Sequence, residues 1–81
     1  MLRSKKGDIR IHDLKISHRS SFHGKKIKDS GLDKEFGLLV LGLQHENGEI
    51  EFNPPSDKMI EKGMTLMVMG KVTNITKAGE K

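Results

Sequence analysis

Any chemistry in this 81-residue sequence would have to come from four histidines, His12, His18, His23 and His45, from the adjacent hydroxyls of Ser20 and Ser21, and from scattered carboxylates. A zinc site built on one element needs two histidines at i, i+4 spacing and a third ligand, and these histidines provide no such set. Ser20 and Ser21 stand between His18 and His23. A nucleophile, however, requires a base oriented by a third group and an oxyanion hole, and sequence proximity supplies neither. Hydroxyls in that position read as caps or turn formers. Glu49 and Glu51 alternate along an expected strand, where outward carboxylates keep an edge soluble. With no cysteine there is no thiolate ligand, thiol nucleophile or disulfide. The residues point away from an enzyme, a metal site and a bound cofactor.

Fifteen Lys and Arg against eleven Asp and Glu give a net charge of +4, a balance that favours anionic partners such as nucleotides, nucleic acid or lipid headgroups. The surplus is spread along the chain, in clusters such as Arg3, Lys5, Lys6 and Lys25, Lys26, Lys28 that acids interrupt. The three aromatic residues are all Phe, without basic interleaving, whereas a sheet that binds RNA carries several exposed aromatics for stacking. A nucleic-acid partner is therefore not expected. A small basic nucleic-acid-binding module stays open as an alternative, to be recognised by a steep fall of affinity with salt.

The elements that must position these residues begin near Ile9. Ile9 and Ile11 alternate with polar residues, then Leu14 and Ile16 alternate in the opposite phase, which suggests one strand with a bulge or kink near His12 and Asp13. Ser20 or Ser21 would cap a short helix through Ile27 to Ser30, ended by Gly31. Leu38 to Leu43 is nearly continuously apolar and reads as a central strand covered on both faces. Asn47-Gly48 signals a hairpin with a two-residue type I′ turn, both residues at positive φ, leading into Ile50 and Phe52. Asn53-Pro54-Pro55 stops that strand, because proline cannot donate to a ladder. Ser56 to Lys62 can form a helical turn, Thr65 to Met69 a last strand ending at Gly70, and Val72 and Ile75 a short tail that packs back. The boundaries expected are a linker or leader over residues 1–8, a domain over 9–77 and a tail over 78–81. The fold class is α+β, a small, mostly antiparallel sheet with a β-hairpin and one or two short helices.

Two of these strands are apolar on both faces, yet one short helix covers only one face of a sheet. The uncovered face, carrying Met67 and Met69, is expected to meet a second copy or a larger host protein. The longest uninterrupted apolar run, Leu38 to Leu41, falls far short of the ~20 residues that span a bilayer, and no apolar stretch resembling a signal peptide follows Met1. A cytoplasmic location is expected.

In order and spacing these features resemble the C-terminal domain of the RCK (regulator of conductance of potassium, TrkA-C) family. The matching pieces are the strand Ile11 to Ile16, the Ser20-Ser21-Phe22-His23-Gly24-Lys25 turn, the segment Lys26 to Leu32, the apolar strand and hairpin over Gly37 to Phe52, Asn53-Pro54, and Thr65-Leu66-Met67-Val68-Met69-Gly70 after Gly63. Two departures stand out: Met64 follows Gly63 where the family usually has an acid, and Gln44 and His45 stand where a basic residue often enters the hairpin.

The resemblance implies a regulatory domain at the cytoplasmic face of the membrane, often placed after a nucleotide-binding domain of the Rossmann type. No Gly-rich phosphate fingerprint of that kind occurs in this sequence. It implies a homodimer, with Met67 and Met69 at the interface, and a membrane-embedded cation channel or transporter subunit, most often for potassium, as partner. A small anionic or nucleotide ligand would lie near Leu32, Asp33, Lys34, Leu38, Leu39, Val40, Asn53 and Pro54. Members that bind cyclic di-AMP place a basic residue and an Asn at positions that correspond to Asp33 and Leu39. Weak binding of that ligand, or none, is expected. A dimerisation module that senses nothing is the alternative within this family.

Overall fold

The computed structural model describes residues 8–79. Its strands are β1 (Ile9–Lys15), β2 (Leu39–Gln44), β3 (Ile50–Phe52) and β4 (Thr65–Lys71), with a 3-10 turn at Ile27–Asp29 and a helix α1 (Val72–Gly79). All pairings are antiparallel and the spatial order is β1, β4, β2, β3, so the last strand lies between the first and second. The expected α+β class holds.

β4 shows why the sheet has one buried face. Its residues alternate, so Leu66 and Val68 point into a core that also contains Leu14 and Leu43, while Met67 and Met69 point the other way. The buried face is covered by two layers. One is the loop segment 16–38 with the return 53–64, contributing Ile16, Leu32, Leu38 and Ile60 and a pair of rings, Phe22 and Phe36, set edge to face at 5.9 Å. The other is α1, which follows β4 directly and buries Ile75 and Ala78, three apart on one helical face. α1 is thus a two-turn helix where a packing tail is expected, and it includes Ala78 and Gly79. Residues 1–7 of the expected leader and residues 80–81 of the tail lie outside the described residues.

Several local expectations are corrected. β1 pairs with β4 without a register shift, so no bulge lies near His12 and Asp13. The change of phase has another cause: Ile9 and Ile11 occupy the open face and Leu14 the buried one. The irregularity is in β2 instead, between Val40 and Gly42, where Leu41 is the extra residue. Ser20 caps no helix; its Oγ accepts from the Phe22 N–H at 3.3 Å in a turn, and the helical piece between β1 and β2 is the 3-10 turn Ile27–Asp29. Ser56 to Lys62 forms turns around a single bridge, Lys26 to Met59, because its N–H and C=O groups are engaged across the loop layer. The hairpin exists, but its loop has three residues. Gly48 N–H donates to the His45 carbonyl at 2.9 Å, Glu49 N–H donates to Asn47 Oδ1, and Gly48 alone has positive φ, at 98°. This is a type I turn closed by a G1 bulge, which leaves Asn47 at negative φ. Finally, β2 is not covered on both faces: Leu39 is 56% exposed.

Candidate functional site

β2 has six residues and β3 only three, so half of β2 runs on without a neighbour on its outer side. The cause is Asn53-Pro54-Pro55, which cannot continue the ladder. Asn53 turns the chain away at φ 51°, the only non-glycine positive φ among the described residues and one that Asn adopts at low cost, while its N–H still reaches the Leu41 carbonyl at 2.8 Å. Between this departing segment and the 3-10 turn an open depression of about 480 Å³ remains.

Its walls are locally determined. Ser30, which is buried, donates from Oγ to the Ile27 carbonyl at 2.7 Å and accepts from the Leu32 N–H at 3.1 Å, fixing the turn that leads into Leu32. Leu38 N–H donates to the Leu32 carbonyl at 2.8 Å, which brings the two buried leucines together as the floor. On the far side Ile27 and Lys28 donate their N–H groups to the carbonyls of Lys58 and Ser56.

Leu32, Asp33, Lys34, Leu38, Leu39, Val40, Asn53 and Pro54, the residues the resemblance implies, all line this one depression. Ile27, Lys28, Asp29 and Ser56 line it as well and carry no signal in the sequence, since the backbone bonds that draw them in join segments about thirty residues apart. The rim holds two ammonium groups, Lys28 and Lys34, and two carboxylates, Asp29 and Asp33. Among the described residues none of the four makes an ion pair, because both ion pairs involve Glu51.

The second feature is the open face of the sheet. Met67 and Met69 lie there with Ile9 and Ile11 of β1, Leu39 of β2 and Ile50 and Phe52 of β3, Phe52 being 74% exposed. Leu39 belongs to both features, facing across to Met69 while lining the depression.

Elsewhere, Glu51 lies 3.1 Å from Lys58 and 3.5 Å from His45. The hydrogen bond from the Lys58 ammonium holds its carboxyl below the ordinary range. Met64, buried where the resembling family usually has an acid, accepts the Glu61 N–H with its thioether at 3.4 Å, a weak substitute for a carboxylate. Among the described residues no three His, Asp or Glu side chains gather as a metal site, and no helix is long and apolar enough to cross a membrane.

No protein of curated function matches the chain. Solved structures do. The GsuK channel bound to NAD superposes with a TM-score of 0.75 at 15% identity, covering 89% of this chain and 13% of that one. The RCK_C domain dimer of S. agalactiae BusR in complex with c-di-AMP gives 0.73 at 19% identity, covering 86% of this chain and 95% of that one. This chain therefore corresponds to a small part of the channel and to nearly the whole of the isolated BusR domain. At these identities the likeness shows a shared fold. Residues 11–81 match the TrkA-C domain, and the chain belongs to that family of RCK C-terminal regulatory domains.

Proposed function

We propose that this domain is a cytoplasmic ligand sensor that dimerises through its open sheet face and biases a cation channel or transporter, for potassium in the first instance. The observation that carries the reading is the position of Leu39, shared between the depression and the open apolar face. A partner seated on that face buries Leu39 and closes one side of the depression, so occupancy and association are coupled. A ligand shifts such an equilibrium only by its differential affinity for the two states.

The rim argues against a polyanion. Lys28 and Lys34 are offset by Asp29 and Asp33, and a phosphate beside a carboxylate loses affinity through like-charge repulsion. An apolar Leu39 offers no hydrogen bond to a purine edge, which leaves a polar ligand atom unpaired at a cost of about 1–3 kcal/mol. Cyclic di-AMP is therefore expected to bind weakly or not at all.

A thermal-shift screen of nucleotides, cyclic dinucleotides and divalent cations at two salt concentrations, followed by calorimetry on each hit, tests the reading. A hit whose effect disappears in Asn53→Ala supports it. If no compound moves the transition, the sensing role fails and a dimerisation module is left. Tight binding of cyclic di-AMP would overturn the roles given to Asp33 and Leu39.

A further inference from the structure

A strand at the rim of a sheet leaves one side of its backbone without ladder partners, and proteins ordinarily blunt such an edge with bulges, prolines, brevity or charged side chains. β3, at one rim, is three residues long and ends at Asn53-Pro54-Pro55. β1, at the other, relies only on the charges of Arg10, Asp13 and Lys15. It is seven residues long, contains no proline, keeps an unbroken register with β4 and exposes Ile9 and Ile11, the latter at 64%.

Beside β1, on the face that α1 covers, lies an open groove of about 590 Å³. Leu14, Ile75 and Val72 give it apolar walls, and Arg10, His12 and Thr76 give it a polar rim. Its charge has one sign. Arg10 lines it, Lys77 follows Thr76 on α1, no carboxylate lines it, and among the described residues neither cation is ion-paired. Asp13 belongs to the opposite face, where it stands across from Met67.

We propose that the β1 edge and this groove form a docking site for an extended acidic peptide of a partner protein, added as a fifth strand. Main-chain hydrogen bonds to β1 supply affinity, and alternate side chains are read by the groove, apolar ones against Leu14 and Ile75 and acidic ones against Arg10. Charge selects this occupant. A second copy presenting its own β1 offers Arg10, His12 and Leu14 on the groove side and no carboxylate. The site is separate from the depression and does not depend on ligand sensing.

Fluorescence anisotropy of a labelled Glu-Thr-Glu-Thr-Leu-Thr-Val peptide, whose alternate residues put acidic and apolar side chains on one face, against the 81-residue chain tests the proposal. The peptide is expected to bind, to weaken as salt rises, and to weaken by about tenfold with Arg10→Glu. The Lys-for-Glu peptide is expected not to bind. Alternate backbone N-methylation, which keeps the charge but removes ladder donors, is expected to abolish binding, and amide shift changes are expected in β1 and α1. Met67→Lys, on the other face, is expected to leave binding unchanged. Equal binding of the methylated peptide would reduce the effect to charge adsorption and overturn the proposal. So would shift changes at β3, no binding at all, or a change of oligomeric state caused by Arg10→Glu.

Discussion

Leu66 and Val68 point to one side of β4 and are wholly buried, while Met67 and Met69, one step along the same strand, point to the other and stay partly exposed. The two faces of this sheet are almost equally apolar. What separates them is cover: α1 and the loop layer lie on one side, and no described element lies on the other. Apolar content along a strand thus does not by itself report the burial achieved within one chain. A residue on the covered face should govern folding, and one on the open face association.

The largest effect is expected from Leu66→Ala, a deletion at a fully buried centre that should cost about 2–5 kcal/mol. A domain of this size has little more than that to lose, and urea titration should show a much earlier midpoint. Gly70→Ala should follow at about 1–3 kcal/mol, since the added methyl would collide with Leu38, itself buried and pinned against Leu32. Met67→Lys should leave the urea midpoint nearly unchanged while raising the dimer dissociation constant by about tenfold or more in sedimentation equilibrium. If it unfolds the chain instead, the open face belongs to the core and the contrast between faces collapses.

Smaller effects sharpen the picture at the hairpin. Gly48→Val should cost about 1 kcal/mol or more, because the residue sits at φ 98°, whereas Asn47→Val should cost less, losing only the bond from Glu49 N–H. Equal losses in thermal melts would mean that both residues need the left-handed region. Glu51→Gln should have the smallest effect. The lowered carboxyl pKa means that the charged form is favoured in the folded state, so its contribution is present at neutral pH, above the unfolded value. It is lost as pH falls through the folded value. Wild type and variant should therefore differ at pH 7 and converge in strong acid, and a difference that grew in acid would contradict the Lys58 contact.

The strands, their apolar phases and the surplus apolar face are legible in the sequence because period-two alternation and proline stops are local signals. The α1 helix is less so: Val72-Thr73-Asn74-Ile75-Thr76 has modest helix propensity, and docking of Ile75 and Ala78 onto the sheet decides the matter. The bulge at Leu41 is invisible for a similar reason, since a register shift is a property of two strands and β4 lies more than twenty residues away. The walls of the depression divide in the same way. Asn53-Pro54 announces itself through turn chemistry, but Lys28 and Ser56 come together through backbone bonds to which side-chain identity contributes nothing.

The pairing of Ile9 with Lys71 places the start of β1 beside the end of β4, and the Val72 N–H donates to the Asp8 carbonyl at 3.0 Å. α1 then runs back along β1, so Asp8 and Gly79, the two ends of the described chain, lie towards opposite ends of that strand. Tension applied between Asp8 and Gly79 therefore reaches the β1–β4 ladder only after Ile75 and Ala78 have been drawn off the sheet.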